Sequence, residues 1–367
     1  MTRWARVAGV AGWGLAGVIA LAAGTVCLSS GCSTLGYYAQ SVNGHLDLVT
    51  SARPVTDWLA DAQASIALKE RLALSQRMRD FAVRELALPD NASYRRYADL
   101  NRAAAVWNVT AAPELSLTLK TWCFPVVGCV GYRGYFDRMD AERFAAELRP
   151  EGLEVNVYGV PAYSTLGKLP FDALADPLLS TFINYPEGEL ARLLFHELAH
   201  QAAYAQDDTM FNESFAVAVE RIGGARWLGD PARAAAAEEY QRYDSRRNHF
   251  RALTRTYRDR LLALYQSDAP DADKRNAKAA LMAQMRAEHQ KLKAERWGGF
   301  SGYDNWFARA NNASFGVLSA YNELVPAFER LFEREGRDFK RFYAEVRRLA
   351  ALPKDERRAA LNATSGD

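Results

Sequence analysis

The segment His196-Glu197-Leu198-Ala199-His200 constrains this chain more than any other part of it. The chain has five histidines in 367 residues, and two of them lie in this pentapeptide. Side chains four residues apart lie on one face of a helix, so both imidazoles can reach the same metal ion. Glu197 lies beside the first imidazole, where a carboxylate can contact an activated water without binding the metal. The spacing therefore predicts a zinc helix with His196 and His200 as ligands and Glu197 as general base.

The residues around this motif favour a buried helix followed by a second helix that carries carboxylates. Leucine and phenylalanine fill most positions from 190 to 198 outside the motif, which is typical of a buried helix. Asn212 is predicted to cap the next helix, with Glu213 in its first turn facing the metal. We expect Glu213 to be the third ligand, which leaves the fourth tetrahedral position open for catalysis. Glu220, two turns further along, is expected to contact a ligand from outside the coordination sphere or to form an ordinary ion pair.

The two segments read HELAHQ and NESFA, and they resemble the zinc-binding elements of gluzincin metallopeptidases such as aminopeptidase N. In those enzymes the glutamate of an NEGFA helix binds zinc, so the resemblance implies this role for Glu213. The chain departs from them in two ways. Twelve residues separate His200 from Glu213, which is several fewer than in those enzymes, and Val217 stands where those relatives carry another acidic residue.

A second resemblance extends over nearly all of the chain after residue 31. The sequence is similar to bacterial lipoproteins classed as zinc aminopeptidases, and the resemblance implies a Zn²⁺-dependent aminopeptidase acting on peptides. Besides the zinc segments, the matching stretches are 31–33, 37–40, 122–129, 132–136 and 162–167.

The first 31 residues read as an export signal. Arg3 and Arg6 precede the apolar run 7–28, and the run ends at Ser29-Ser30-Gly31-Cys32, which resembles a bacterial lipobox. Cleavage there predicts a lipid on Cys32 that attaches a periplasm-facing domain to a membrane. The alternative is a retained transmembrane helix, because the run is long enough to span a bilayer. Both interpretations export residues 32–367.

Cys123 and Cys129 lie six residues apart in a predicted loop. In an oxidising compartment this spacing predicts a local disulfide, whereas zinc binding is disfavoured because no second cysteine or histidine pair lies near. The charge gives no case for nucleic-acid binding. Removing residues 1–31, which contain two arginines and no acidic residue, leaves 44 basic and 44 acidic residues.

The pattern along the chain predicts a mostly helical α+β fold with a small sheet before the metal helix, and the resemblance implies that this fold is gluzincin-like. We expect three parts within one metallopeptidase domain: helices in 33–100, the sheet and the zinc-helix pair in 101–228, and helices in 229–367. Strands are predicted at 105–110, 115–122 and 153–157. Helices are predicted at 138–149, 187–205 and 212–227. A Pro- and Asp-rich turn at 268–273 separates two long helices in 231–294.

Amide hydrolysis also needs a donor that stabilises the oxyanion. Tyr204, Tyr163 and Tyr321 are candidates, and the alternative for each is plain packing. Residues 163–167 are the candidate edge strand for holding extended substrate.

Recognition of a free peptide amine requires a carboxylate near the zinc. Relatives of aminopeptidase N carry a glutamate in their edge-strand motif, whereas residues 162–167 contain none. Glu220, Asp208 and Glu323 are possible substitutes. The sequence therefore keeps two alternatives to an aminopeptidase: a zinc endopeptidase of the cell envelope, and a non-catalytic envelope scaffold.

Overall fold

The computed structural model describes residues 32–124, 128–162, 164–165, 175–206, 208–320 and 323–363. Within these ranges the chain forms thirteen α-helices and eight short strands, so the predicted mostly helical α+β class is confirmed. The helices are α1 Cys32–Thr50, α2 Val55–Ala60, α3 Ile66–Leu86, α4 Arg138–Leu148, α5 Glu187–Ala202, α6 Thr209–Leu228, α7 Ala234–Gln266, α8 Asp271–Glu295, α9 Asp304–Arg309, α10 Asn312–Ala320, α11 Val325–Arg334, α12 Phe339–Ala350 and α13 Lys354–Ala363. The strands are β1 Arg53–Pro54, β2 Arg96–Ala98, β3 Val106–Pro113, β4 Trp122–Phe124, β5 Gly128–Val130, β6 Arg133–Tyr135, β7 Leu153–Val160 and β8 Leu178–Leu179.

The strands form three small sheets in the described part of the chain, all before the helix that carries the histidine motif. In the central sheet, β3 pairs antiparallel with β6 and along its whole length with β7, from Val106 opposite Val160 to Pro113 opposite Leu153. Helix α4 covers one face of this sheet. The other sheets have the orders β1-β2-β8 and β4-β5.

The strand predicted at 115–122 is wrong except for Trp122, which begins β4. After Pro113 the chain turns and forms no regular ladder: Lys120 N donates to the carbonyl of Ala111 on β3, while other backbone groups bond to side chains of distant helices. The carbonyl of Glu114 accepts hydrogen bonds from Asn312 and from Lys278. The alternating apolar residues at 115–119 therefore pack as part of a loop. The alternation alone cannot distinguish such a loop from a strand.

Helices α5 and α6 form an antiparallel pair joined by a short connection, and Trp227 near the end of α6 donates to Glu187 at the start of α5. Glu187 and Glu189 lie in the first turn of α5, where their negative charges interact favourably with the positive end of the helix dipole. The cap predicted for α6 is wrong: Asp208, and not Asn212, caps this helix by accepting a hydrogen bond from Phe211 N. Glu213 consequently lies in the second turn rather than the first.

Asn212 instead fixes the connection between the two helices. Its side chain is buried, accepts from the backbone N–H of Ala205 at 2.8 Å and donates to the carbonyl of Ala205 at 2.7 Å. Both hydrogen bonds satisfy backbone groups that would otherwise be buried without partners. Asn212 thus determines where α6 starts relative to the end of α5.

Two adjacent glycines let α6 approach its neighbours closely. A Cβ atom at Gly223 would lie 3.0 Å from Cδ2 of Phe195, and one at Gly224 would lie 3.0 Å from Cγ of Arg192. Both neighbours belong to α5. The close approach brings the carboxylates of α6 within contact of the imidazoles of α5.

The main core surrounds this helix pair and includes apolar residues of α3, α11 and α12. A second core joins the hairpin of α7 and α8 to α9 and α10, with Tyr257, Met285 and Trp297 almost completely buried. The turn between α7 and α8 falls at residues 267–270, which overlaps the predicted segment 268–273 and begins one residue before it. Helix α7 also packs against α5, so its middle part lies beside the histidine motif.

No helix within the described ranges is both long enough and apolar enough to cross a membrane. The predicted export signal, residues 1–31, lies outside the described residues, as does the side chain of Cys32.

Candidate metal centre

Three side chains from the helix pair converge on one point. Nε2 of His200 lies 3.2 Å from Nε2 of His196. Oε2 of Glu213 lies 3.3 Å from Nε2 of His196 and 3.8 Å from Nε2 of His200. The donor atoms of these three residues all lie within 4.8 Å of one another, and the side chains are 8 to 19% exposed.

This donor set fits a zinc ion. Tetrahedral zinc in proteins has bonds of about 2.0–2.1 Å to histidine nitrogen and carboxylate oxygen, so its ligand atoms are about 3.3 Å apart. Two of the observed separations match this value and the third is slightly longer. Two nitrogens and one oxygen also make the ligand set of a catalytic site, in which a fourth position stays open.

Glu220 contacts the other side of the His196 ring. Its Oε2 lies 3.1 Å from Nδ1 of His196, and its Oε1 accepts a hydrogen bond from the buried guanidinium of Arg192. A carboxylate on Nδ1 fixes the ring so that Nε2 faces the point on which the three side chains converge. Arg192, one turn before His196 on α5, was missed by the sequence reasoning. An arginine within an otherwise apolar helix face was the available signal.

The electrostatics of the cluster depend on these carboxylates. Burial alone would lower the pKa of His196, but the hydrogen bonds that its ring donates to Glu213 and Glu220 raise its pKa well above the ordinary value. Burial lowers the pKa of His200 to about 4. Burial would raise the pKa of Glu220, yet Arg192 and His196 lower it to about 2. Glu220 is therefore ionised at neutral pH and holds its two cationic or polar partners.

Glu197 has an environment suited to moving protons. It lines the same cavity as the three converging residues, and burial raises the pKa of its carboxyl group to about 7. The negative charges of Glu213 and Asp176 act in the same direction, whereas His196 lowers the pKa. A base works best when its pKa lies near the working pH.

The cluster lies at the wall of a cavity of about 760 Å³. Helix α1 contributes Tyr37, Tyr38 and Ser41 to its lining, and the disulfide hairpin contributes Phe124 and Val130. Cys123 and Cys129 form the disulfide expected from their spacing, across β4 and β5. This volume is within the usual range for small-molecule and peptide sites.

Tyr204 is the one predicted tyrosine whose position the structure describes. Its ring centroid lies 6.5 Å from that of His200, and it lines the cavity. Tyr163 and Tyr321 lie outside the described residues, as does most of the predicted edge strand at 163–167.

The sequence reasoning missed Tyr132, which follows the disulfide hairpin and also lines the cavity. The residue is 38% exposed at the cavity rim, yet burial of its phenol and the charge of Glu213 raise its pKa above the ordinary value. Burial raises the pKa of Tyr158 on β7 to about 12, and the negative charge of Glu213 acts in the same direction. Both phenols are protonated at neutral pH and lie close enough to Glu213 for its charge to affect them. No local pattern in the sequence indicates that these two tyrosines lie near Glu213.

The three acidic residues expected to bind a substrate amine are differently placed. Glu220 lines the cavity, but both of its oxygens are held by His196 and Arg192. Asp208 is buried at the start of α6, where it pairs with Arg357 and Arg358. Glu323 is exposed and does not line the cavity. Among the described lining residues, Glu197, Glu213 and Glu220 are the carboxylates.

Together, the fold and the cluster define a mostly helical α+β protein with a candidate metal centre and a buried glutamate at a cavity wall. Residues 36–361 match the model of the family described as "Putative aminopeptidase", and the chain belongs to this family. Membership supports peptidase activity in general terms. Comparisons with curated proteins and with solved structures gave no match.

Proposed function

We propose that this protein is a zinc-dependent peptidase in which His196, His200 and Glu213 bind the metal and Glu197 is the general base. One observation carries the proposal: the donor atoms of the three residues lie within 4.8 Å of one another at the wall of the cavity that Glu197 also lines. The nitrogen and oxygen donors suit zinc, and the family suggests peptide substrates.

When bound, zinc supplies Lewis-acid polarisation of the scissile carbonyl and lowers the pKa of water to about 7. Glu197 would accept the proton from the attacking water and later deliver it to the leaving amine, since its buried carboxyl group lines the same cavity as the three proposed ligands. Glu220 holds Nδ1 of His196 so that Nε2 keeps its direction.

Tyr132 is our candidate for the oxyanion donor. Its phenol is protonated at neutral pH, burial raises its pKa further, and it lines the cavity near Glu213. A protonated donor aimed at the carbonyl oxygen stabilises charge that develops in the transition state. The disulfide between Cys123 and Cys129 stiffens the hairpin that precedes Tyr132.

The place of action that we propose is the cell envelope. The lipobox-like segment that ends at Cys32 supports a lipid anchor, and the disulfide supports an oxidising compartment. Helix α1 begins at Cys32 and lines the cavity with Tyr37 and Tyr38. An anchor at Cys32 would therefore keep the cavity close to the membrane surface.

Metal analysis combined with Glu197→Gln tests the proposal. Full-length protein is expected to bind one zinc per chain, and Glu197→Gln is expected to retain zinc while hydrolysis falls by orders of magnitude. Glu187→Gln is the matched control, because Glu187 lies on the same helix and pairs with Trp227 and Arg233 away from the cavity. Stoichiometric zinc with no Glu197-dependent hydrolysis of any peptide would reject the enzyme in favour of a scaffold.

A second candidate, an endopeptidase, is favoured by one observation. Each described carboxylate of the cavity already has a proposed role: Glu213 as ligand, Glu197 as base and Glu220 as the partner of His196. None of them is left to bind a free amine. Aminoacyl fluorogenic substrates and N-terminally blocked quenched peptides distinguish the two. Cleavage restricted to the free-amine set supports the aminopeptidase, and cleavage of the blocked set supports the endopeptidase.

A further inference from the structure

Arg251 lies in the middle of α7, on the side of the cavity formed by that helix. Its side chain is partly exposed and lines the same cavity as His196 and Glu197. The neighbouring wall is aromatic: the rings of Phe250 and Tyr303 stack with centroids 4.4 Å apart, and both line the cavity. Arg251 thus presents a cation to the space in which a substrate would lie.

The other two arginines of this wall have carboxylate partners. Arg192 donates to Glu220 and lies 3.7 Å from Asp244. Arg247 donates to Glu189. Arg251 has no carboxylate oxygen within 4.0 Å of its guanidinium among the described residues, although it senses the charges of Glu220 and Asp244 at longer range.

The surroundings make an anion at this position favourable. Burial and the nearby Arg192 lower the pKa of Arg251, but a guanidinium stays protonated in proteins. A partly desolvated cation without a counter-ion is unfavourable, and a carboxylate that forms two parallel hydrogen bonds relieves that cost. An arginine is well suited to this role because its planar group matches a carboxylate.

Within the described part of the chain, the cavity offers no comparable group for a cation. Each described carboxylate of its lining has a place in the proposed metal site: Glu213 as ligand, Glu197 as base and Glu220 against His196. The charge left for substrate recognition is therefore positive. The cavity, at about 760 Å³, has room for a short peptide.

We propose that Arg251 binds a carboxylate of the substrate, either the C-terminus of a short peptide or an acidic side chain. This proposal rests on the proposed peptidase function, which makes the cavity a substrate-binding site. Under this proposal Arg251 is a specificity-determining residue: it selects peptides that place a carboxylate within the cavity while another bond of the same peptide lies at His196 and Glu197.

Three matched peptides test the preference by hydrolysis with zinc-loaded full-length protein. They share one sequence and differ in having a free C-terminus, an amidated C-terminus, or an amidated C-terminus with one internal glutamate. Wild-type protein should cleave one of the two carboxylate peptides with kcat/KM at least about tenfold above the neutral peptide. Which one is favoured identifies the source of the carboxylate.

The variant Arg251→Gln should remove this preference, mainly through KM, by lowering kcat/KM for the favoured carboxylate peptide to the value that the same variant has for the neutral peptide. Arg255→Gln is the matched control, since Arg255 lies one turn further along α7, is exposed and does not line the cavity. Equal losses on all three peptides, or a preference that survives Arg251→Gln, would overturn the proposal.

A binding measurement separates this proposal from the peptidase function itself. Calorimetry of the same peptides with Glu197→Gln protein needs no turnover. A carboxylate preference in binding that Arg251→Gln abolishes supports the site even if wild-type protein hydrolyses nothing, in which case only the peptidase proposal fails. Hydrolysis with no carboxylate preference in either measurement leaves the peptidase proposal intact and rejects the role of Arg251.

Discussion

Oε2 of Glu220 lies 3.1 Å from Nδ1 of His196, on the side of the ring opposite the converging donor atoms. The same carboxylate accepts a hydrogen bond from Arg192 through its other oxygen. Since Arg192 is almost fully buried on the helix that carries His196, the contact joins α5 to α6 at the level of the candidate metal centre. Glu220 is thus a positioning residue that acts through His196.

Replacing Glu220 with Gln should weaken zinc binding by about 10- to 100-fold, because Nδ1 of His196 loses its carboxylate. The measurement is competition with a chromophoric chelator, with circular dichroism to verify the fold. Glu329→Gln is the control, since Glu329 pairs with Arg221 at the surface. Unchanged zinc affinity in folded Glu220→Gln protein would contradict the role.

The motif residues could be predicted from sequence because the period of a helix alone brings His196 and His200 to one face. Glu213 and Glu220 followed from the same period on the next helix. The cap did not: Asp208 and Asn212 are both good capping residues, and the choice between them depends on the bonds of Asn212 with Ala205, which exist only after the connection has folded.

Tyr132 and Arg251 were beyond sequence reasoning for a different reason. Each reaches the cavity from a segment far along the chain from the motif: Tyr132 from the residues just after the disulfide hairpin, and Arg251 from α7. Neither has a local spacing that marks it, since tyrosine after a strand and arginine in a charged helix are ordinary. Only tertiary packing of these elements against α5 and α6 identifies them.

Tyr132→Phe should lower kcat by about 10²- to 10³-fold, because the transition state loses a donor whereas the ring keeps its packing. Zinc content and KM should stay close to wild type. Steady-state kinetics on the best cleaved peptide provide the measurement. Tyr243→Phe serves as control, because Tyr243 is on α7 outside the cavity and packs against Phe300. Equal kcat values for Tyr132→Phe and wild type would assign the donor elsewhere, with Tyr158 and Tyr204 tested next.

Gly223→Ala should destabilise the protein. A methyl group there would lie 2.7 Å from Cδ1 of Leu86 and 3.0 Å from Cδ2 of Phe195, both fully buried. The gain in helix propensity is about 1 kcal/mol, whereas overpacking costs about 1–3 kcal/mol, so the cost prevails. Gly36→Ala in α1 has the opposite expected sign, because nothing lies within 4 Å of its added methyl group. Thermal unfolding of both variants checks the two directions, and a higher Tm for Gly223→Ala would refute the packing argument.

Acid should remove the stabilisation that Asp208 provides. Its side chain is completely buried and accepts from Arg357 at 3.0 Å, from Arg358 at 2.9 Å and from the N–H of Phe211. Burial alone would raise the pKa of Asp208, but these partners lower it below the ordinary value of 3.8. The unfolded chain therefore takes up the proton at a higher pH than the folded protein does. The contribution is complete above the unfolded pKa and disappears as pH falls through the folded one.

Asp208→Asn isolates this contribution. At pH 7 the variant should lose about 3 kcal/mol of unfolding free energy, because Arg357 keeps its burial and loses its counter-ion. The difference from wild type should shrink as pH falls from 7 to 2, because the wild-type carboxylate then approaches protonation and loses the charge that the variant lacks. Urea denaturation with chelator present, at pH 7, 4 and 2, measures it without interference from metal release. Asp230→Asn is the matched control, since Asp230 also caps a helical turn and pairs with an arginine, Arg233, but does so at the surface. An Asp208→Asn difference that is the same at all three pH values would mean that the lost stability comes from helix capping and packing rather than from the charge of the carboxylate.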